Sequence, residues 1–242
     1  MNIYSVKLPN TLSNDEFHHY LNEISIKKQK KIRRYIRREN AIRTLFGELL
    51  IRTIIDREKV TTNNLFSFSY NEYGKPYIQD VSNFHFNISH SGNWVVCATD
   101  NKPIGLDIEL IKPINLEVAK RFFTAEEYEY IINQPPDNQL SCFYDFWTLK
   151  EAYIKAIGKG LLVPLNSFSI KIKASKEFIL SSDFLTNSFW LTQHEIDSDY
   201  KLSVCSAAPN TVSRIVQIPY TNLISNPFII QKTPKCTNKQ SI

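Results

Sequence analysis

The sequence has no long apolar run. No part of the 242-residue chain is apolar over the roughly 20 residues that a membrane-spanning helix needs. The first residues, MNIYSVKLPN, lack the basic segment and the following apolar run of a secretory signal. We therefore expect neither a membrane span nor a signal peptide.

Cysteine and glycine are also scarce. The four cysteines, Cys97, Cys142, Cys205 and Cys236, are far apart and form no C-x-x-C pair. This spacing argues against structural zinc and against a disulfide framework, and it favours the reducing cytoplasm. The six glycines form neither the G-x-G-x-x-G nor the Walker loop of the common nucleotide-binding proteins.

The remaining composition is that of a globular protein. Hydrophobic residues make up 43% of the chain and charged residues 22%, which suits one large domain or two small ones with a sizeable core. The formal net charge is +5, and it favours anionic partners without specifying their kind.

Positive charge is concentrated in residues 27–43, KKQKKIRRYIRRENAIR. This segment holds nine lysines and arginines against one acid, Glu39. Apolar residues recur at three- and four-residue steps from Ile32 to Ile54, which predicts a helix over 27–56 with a break near Asn40. A nucleic-acid-binding protein that uses this basic helix is therefore one hypothesis for the function.

Both halves of the chain combine long helix with short strands. A capping box from Thr124 to Glu127 begins a short helix, and a longer helix over 138–157 ends at Gly158. Strand patterns cover 65–70, 85–89, 94–100, 104–110, 168–174, 189–196 and 200–208. Strands grouped apart from helices predict an α+β fold. The pattern is compatible with two similar lobes, 1–103 and 104–225, followed by a polar tail, 226–242, that frays.

Residues 104–110, IGLDIEL, alternate apolar and other side chains as a half-buried strand does. Asp107 and Glu109 then share one face about 7 Å apart, and they repel by about 2 kcal/mol at an effective dielectric of about 20. They are either surface charges of an edge strand, with Lys102 and Lys112 as weak partners, or ligands of a divalent cation. Mg²⁺ suits such a pair best, because it takes hard oxygen ligands and leaves room for phosphate.

Residues 146–161, FWTLKEAYIKAIGKGL, supply a third carboxylate. Trp147, Glu151 and Lys155 fall on one stripe of the predicted helix. The stripe is either a surface Glu–Lys pair beside an anchoring tryptophan or part of a site for a metal-bound pyrophosphate. The lysines and the two glycines at the end of this helix favour the pyrophosphate, since glycine allows close approach of a ligand.

Residues 86–94, FNISHSGNW, place His90 between Ser89 and Ser91 and before a glycine. A lone histidine is usually structural, but two hydroxyls and a glycine also suit an anion-binding turn. Upstream, residues 73–76, YGKP, form a turn that carries a lysine, and turn chemistry alone explains its glycine and proline.

Together these motifs resemble those of the 4′-phosphopantetheinyl transferases, and more closely the surfactin-synthetase-activating type. The likeness spans roughly residues 1–210 and includes, in order, RRYIRRENAIRTLFGELLIR, EYGKP, FNISHSG, GLDIE, AKRFF and FWTLKEAYIKAIGKGL. Each motif alone is weak, and their common order and spacing make the resemblance specific.

The resemblance implies a two-lobed, pseudo-symmetric α+β monomer with coenzyme A in the cleft between the lobes. The reaction would move the phosphopantetheine arm of coenzyme A onto a serine hydroxyl of an apo carrier protein and release adenosine 3′,5′-bisphosphate. The partner would be a peptidyl, acyl or aryl carrier domain, for which we expect a non-ribosomal peptide synthetase of antibiotic biosynthesis. No nucleic acid or membrane partner is implied.

The same resemblance implies the site residues. Magnesium would be held by Asp107, Glu109 and Glu151, and the catalytic set would be Glu151, Lys155 and Asp107. Contacts with the 3′-phosphate would come from Lys28, Lys31, Thr44 and His90. Contacts with the adenine and the neighbouring phosphate would come from Tyr73, Gly74, Lys75, Pro76, Ser89 and Ser91. The pyrophosphate lysines would be Lys150 and Lys155.

Catalysis would then come mainly from positioning and charge stabilisation. Either Glu151 or a water on the metal would accept the proton of the carrier serine. We expect the carrier to dock along residues 112–123, where Lys120 and Arg121 adjoin Phe122 and Phe123, unless these phenylalanines belong to the core. A non-catalytic carrier-binding protein is a third hypothesis, which the intact set of carboxylates disfavours.

Overall fold

The computed structural model describes residues 1–61, 66–173, 177–182, 188–209 and 215–224. Its helices are α1 (Asn14–Asn22), α2 (Ile26–Ile32), α3 (Arg38–Arg57), α4 (Val118–Phe122), α5 (Ala125–Ile132) and α6 (Pro136–Ile157). Its first strands are β1 (Asn2–Lys7), β2 (Phe68–Tyr70), β3 (Pro76–Ile78), β4 (His85–Ser91), β5 (Trp94–Asp100) and β6 (Ile104–Leu110). The later strands are β7 (Ser169–Ile172), β8 (Phe178–Ser181), β9 (Trp190–His194), β10 (Tyr200–Ser206) and β11 (Ile215–Gln217).

The first lobe is a four-stranded sheet covered by α3. Its strand order is β11-β1-β5-β4, antiparallel except for the parallel pair of β1 and β11. The apolar residues of α3, among them Leu45, Leu49 and Ile54, pack with the side chains of the sheet and of α1 in one core. The burial of that apolar face stabilises the long helix.

The second lobe repeats this plan with a three-stranded sheet covered by α6. Its strand order is β6-β10-β9, all antiparallel. Helix α6 has Pro136 in its first turn, a position where a missing N–H costs nothing, and it ends at Gly158 in the left-handed conformation. Strands β7 and β8 form a separate hairpin. The predicted α+β fold with two similar lobes is confirmed.

A third core lies between the two sheets. Ile104, Leu106 and Ile108 of β6 pack there with Ile3 of β1 and Val96 of β5. The alternate residues of β6 therefore face α6, and Gly105 has no room for a side chain. A Cβ atom at Gly105 would lie 2.1 Å from the carbonyl oxygen of Ala152 and 2.2 Å from the amide nitrogen of Ala156. The alternation in IGLDIEL thus separates an inter-sheet core from a face turned towards the helix.

The prediction of one helix over 27–56 is wrong, because the structure has two helices in this range. Helix α2 ends at Ile32, α3 begins at Arg38, and the break lies at residues 33–37 rather than near Asn40. Arg37 has extended backbone angles, and Ile36, which the periodicity assigned to the buried face, is fully exposed. Periodicity cannot detect this break, because Ile36 keeps the spacing but reaches no core.

The end of the described chain returns to the first lobe. Strand β11 pairs with β1, and Ile218 and Leu223 pack in the core under α3. Residues 215–224 therefore do not belong to the second lobe, and the predicted range 104–225 needs this correction. A short edge strand is assigned by its pairing, which the sequence pattern did not reveal.

Most other predicted elements are present with shifted ends. The strands predicted over 94–100 and 104–110 have those bounds, and the remaining strands and the α6 helix differ by a few residues at either end. Leu65, Ala174 and the predicted tail, 226–242, lie outside the described residues. Among the described helices, none combines the length and the apolar character required to cross a membrane.

Candidate active site

The two lobes meet where β4 lies beside β6, and their polar side chains pair across this seam. The Ser89 hydroxyl donates to Oδ1 of Asp107 at 2.8 Å, and the Ser91 hydroxyl donates to Oε2 of Glu109 at 2.6 Å. Asp107 is only 3% exposed. The interpretation of Asp107 and Glu109 as surface charges is therefore wrong, because β4 and α6 cover β6 although it is the edge strand of its own sheet.

Helix α6 adds a carboxylate and an ammonium to the seam. Nζ of Lys155 lies 2.6 Å from Oδ1 of Asp107 and 3.1 Å from Oγ of Ser89. Glu151 precedes Lys155 by one turn of α6 and is half-buried. The close packing of α6 on Gly105 sets both side chains against β6.

The three carboxylates influence one another. Burial raises the pKa of Glu109, and the charge of Asp107 raises it further, against the opposing effects of the Ser91 hydroxyl and Lys155. Burial also raises the pKa of Glu151, and Asp107 is again the next cause. Three acidic groups around one ammonium leave an excess of negative charge, so this cluster would be stabilised by a cation.

The cluster fits a hard divalent cation. Oδ2 of Asp107 is buried and has no hydrogen-bond partner among the residues that the structure describes, which is costly for a carboxylate oxygen. Carboxylate oxygens are the ligands that Mg²⁺ prefers. In the described part of the chain, however, no three acidic, histidine or cysteine side chains are already arranged around one ion position.

His90 stands at the rim of the seam beside cations. Removal from solvent lowers the pKa of its imidazole, and Arg43 and Lys155 lower it further. Arg43, which precedes Thr44 on α3, donates from Nη1 to the carbonyl of Gly92 at 3.1 Å. On the other side of the same turn, the amide of Asn93 donates to the Tyr200 hydroxyl at 3.0 Å. The turn that follows His90 is thus held by both lobes.

Lys75 joins the first lobe to the end of α6. Its ammonium donates to the carbonyls of Ile104, Lys155 and Ala156 at 2.9, 2.6 and 3.1 Å. Burial lowers the pKa of Lys75 to about 8. Lys75 therefore caps the last turn of α6, a role that the sequence analysis did not predict.

The turn before Lys75 is open to solvent. Tyr73 is exposed, Gly74 has a φ of +85°, and Pro76 begins β3. The amide group of Asn71 donates to the carbonyl of Gly158 at 2.9 Å, which fixes the turn on the other lobe. These residues lie next to α6, as a ligand spanning the lobes would require.

Lys150 does not reach the seam. Its ammonium is fully buried, 2.8 Å from Oε1 of Glu127, and it donates to the carbonyls of Leu165 and Phe168. The predicted contact between Lys150 and a pyrophosphate is therefore wrong for this structure. The physical reason is the helical period: Lys150 and Lys155 are five residues apart and point to different faces of α6.

The predicted 3′-phosphate contacts lie on the helices of the first lobe. Lys31 is exposed on α2, and Thr44 is half-buried on α3. Lys28 is 3.0 Å from Oε2 of Glu48. The structure brings these three residues to neighbouring helices without a direct bond between them among the contacts of the described residues.

The predicted docking segment, 112–123, is only partly a surface. Phe123 is 3% exposed and belongs to the core of the second lobe, so the alternative that it is a core residue is correct. Phe122 is half-buried, with its ring 5.6 Å from that of Trp147. Arg121 is exposed, as is Lys120, whose ammonium is 2.7 Å from a carboxylate oxygen of Glu117.

The sequence patterns did not reveal the roles of several residues that form the site or pack beside it. Arg43 was recognised only as part of a basic segment, and Glu127 only as a helix cap. Asn87 accepts the Leu106 amide across the seam at 2.9 Å. None of these residues carries a local motif for its role, since each role depends on a partner distant in the chain.

Comparisons with known proteins identify the family of the chain. Residues 103–205 match the family model described as the 4′-phosphopantetheinyl transferase superfamily, and residues 11–102 match that of the 4′-phosphopantetheinyl transferase N-terminal region. The chain is 41% identical over 224 residues to 4′-phosphopantetheinyl transferase Sfp of Bacillus subtilis (strain 168), covering 93% of this chain and all (100%) of that protein. It is 39% identical to 4′-phosphopantetheinyl transferase gsp of Aneurinibacillus migulanus, covering 83% and 84%.

The chain belongs to the 4′-phosphopantetheinyl transferase superfamily. Within it the chain is an Sfp-like enzyme, which transfers phosphopantetheine to apo carrier proteins. This membership replaces the hypothesis of a nucleic-acid-binding protein as the account of the chain's activity.

Proposed function

We propose that the protein transfers the 4′-phosphopantetheine group of coenzyme A to a serine hydroxyl of an apo carrier domain and releases adenosine 3′,5′-bisphosphate. The single observation that carries this proposal is the cluster of Asp107, Glu109, Glu151 and Lys155 at the seam between the lobes. A pyrophosphate placed there would meet an ammonium and, through a bound cation, three carboxylates.

Asp107, Glu109 and Glu151 are the residues that would hold Mg²⁺. When bound, the ion would supply electrostatic stabilisation of pyrophosphate oxygens as negative charge grows on the departing bisphosphate. The unpaired Oδ2 of Asp107 and the mutual repulsion of the carboxylates support this proposal.

The transfer forms a bond between the serine oxygen and the β-phosphorus of coenzyme A and breaks the bond to the bisphosphate oxygen. Either Glu151 or a water molecule at the site would accept the serine proton. Lys155 would neutralise charge on the pyrophosphate from its position beside Asp107. Ser89, Ser91 and His90 would bind the phosphates from the β4 side.

The remaining coenzyme A contacts would come from both lobes. Lys28, Lys31 and Thr44 would bind the 3′-phosphate, and the turn of Tyr73, Gly74, Lys75 and Pro76 would bind the adenine. Lys75 would contribute mainly by fixing the end of α6, because its ammonium donates hydrogen bonds to the carbonyls of Lys155 and Ala156. We further propose that the protein is a cytoplasmic monomer and that its carrier domain belongs to a non-ribosomal peptide synthetase.

For the carrier we propose docking on the exposed cations of the 112–123 segment. Lys120 and Arg121 are exposed and suit an acidic partner. Charge reversal at both should raise KM for the carrier and leave KM for coenzyme A unchanged. An equal effect on both substrates would refute docking at this place.

The test of the activity uses fluorescent coenzyme A, Mg²⁺ and several apo carrier domains, with and without EDTA. Label should appear on the serine of a carrier domain and disappear with EDTA. A carrier whose serine is replaced by alanine is the matched control. Absence of labelling with every carrier would overturn the proposal, and labelling that persists with EDTA would overturn the role of the metal.

A further inference from the structure

Glu48 is a buried carboxylate that joins two cations on the outer side of the first lobe. Its Oε2 lies 3.0 Å from Nζ of Lys28, and its Oε1 lies 2.7 Å from a guanidinium nitrogen of Arg52. The Glu48 side chain is 5% exposed and that of Lys28 is 22% exposed. Because a buried carboxylate is stable only with partners, Glu48 and the two cations hold one another in place.

This contact has a large share in placing α2. The helix has seven residues and buries only Ile32, and the exposed segment 33–37 connects it to α3. Few apolar contacts therefore fix α2 against α3, whereas the ion pair between Lys28 and Glu48 joins the two helices directly.

The geometry also places Lys28 beside other predicted phosphate contacts. Thr44 precedes Glu48 by one turn of α3 and lies on the same face, and Lys31 follows Lys28 by about one turn of α2. The bond to Glu48 uses one of the three donors of the Lys28 ammonium and leaves the others for an anion. Arg52 balances the carboxylate, so the three groups together remain cationic.

We propose that Glu48 is a positioning residue for recognition of the 3′-phosphate of coenzyme A, because it holds Lys28 on the face of α3 that carries Thr44. Glu48 itself does not contact the ligand. This inference rests on the proposed function, in which Lys28 and Thr44 bind that phosphate.

Two opposite results distinguish positioning from simple charge. If only charge mattered, replacing the negative Glu48 would strengthen the attraction of an anion to Lys28 and Arg52. If Glu48 positions Lys28, the same replacement frees a flexible ammonium and weakens phosphate binding.

The experiment measures kcat/KM of the wild type and Glu48→Gln with coenzyme A and with 3′-dephospho-coenzyme A. We expect a loss of about tenfold for coenzyme A, as for a charge-assisted bond, and less than about twofold for the dephospho form. Lys28→Met should show the same selective loss, and Glu48→Gln should add nothing to it. Calorimetric binding of adenosine 3′,5′-bisphosphate should weaken in parallel.

Glu58→Gln is the matched control. Glu58 follows the same helix and accepts hydrogen bonds from Asn2, Tyr4 and Thr99 at the far end of the lobe. This variant should leave the ratio between the two substrates unchanged. Equal losses on both substrates in Glu48→Gln, an unchanged kcat/KM or a lower KM for coenzyme A would each overturn the inference.

A variant that keeps the charge decides the matter if Glu48→Gln does not fold. Glu48→Asp withdraws the carboxylate by one methylene, and its loss in kcat/KM should be between about twofold and about tenfold for coenzyme A and less than about twofold for the dephospho form. Any other pattern would overturn the positioning role. The wild type is measured first. If it neither transfers label nor binds coenzyme A, the proposed function is refuted, and the role of Glu48 is not what has failed.

Discussion

The ammonium of Lys155 lies 2.6 Å from Oδ1 of Asp107, whereas Oδ2 of the same carboxylate has no partner in the described part of the chain. One oxygen is thus neutralised from α6, while the charge of this carboxylate still raises the pKa of Glu109 and of Glu151. Three carboxylates with one ammonium leave an excess of negative charge, which explains why the site suits a cation together with an anionic substrate.

Asp107→Asn should abolish most of the transfer without unfolding the protein. Asparagine keeps an oxygen for Ser89 and Lys155 but removes the charge that repels Glu109 and Glu151. We expect kcat/KM to fall at least about 100-fold, and the relief of repulsion on Glu109 and Glu151 to offset part of the stability lost with the ion pair to Lys155. Steady-state transfer and urea denaturation measure the two effects.

The matched control for this change is Asp145→Asn. Asp145 forms a similar ion pair, 2.8 Å from Lys201, elsewhere on α6. It should reduce transfer by less than about twofold. Comparable losses in both variants would mean that Asp107 acts only through the stability of α6.

Lys150→Met should affect stability rather than substrate binding. The change leaves the buried carboxylate of Glu127 without its cation, which costs about 3 kcal/mol in the free energy of unfolding. Glu127→Gln in the same chain should recover part of this loss. Urea denaturation of the single and double variants measures it.

Lys150→Met should leave the binding of coenzyme A unchanged. At a temperature where Lys150→Met is folded, KM for coenzyme A should equal that of the wild type, because Lys150 is fully buried. A raised KM with unchanged stability would restore Lys150 as a pyrophosphate contact.

Gly105→Ala should displace α6 from β6. The added Cβ would meet backbone atoms at 2.1 and 2.2 Å, which cannot rotate away. We expect the loss of most transfer activity and a loss of stability of about 3 kcal/mol, as for severe overpacking. Gly47→Ala is the control, since its nearest neighbour is a side-chain methyl of Ile88 at 3.3 Å. Equal tolerance of both changes would contradict the close packing.

Lys75 should make stability depend on pH. Burial lowers its pKa from 10.5 to about 8 in the folded chain, so between these values the unfolded chain binds more protons. The stability that the wild type has relative to Lys75→Met should therefore rise with pH from about 8 to about 10.5. Urea denaturation at several pH values, with the exposed Lys102→Met as control, tests this. A difference that stays constant or falls would show that burial does not lower the pKa of Lys75 in the folded chain.

Local patterns predicted the secondary structure well where one face is buried continuously. The strand over 104–110 and the capping box of Thr124 and Glu127 are present as predicted. The basic segment shows the limit, because Ile36 has the right spacing and still lies outside the core.

The sequence by itself determined the α+β class, the two lobes, the family and the presence of three acidic residues in two motifs, because these follow from periodicity and the order of motifs. Only the tertiary structure decided which lysine reaches the acidic cluster, that Lys150 pairs with Glu127, and that the chain returns to the first lobe at β11. The physical reason is that such partners are chosen by packing between distant elements, where the direction of a side chain on α6 separates Lys155 from Lys150.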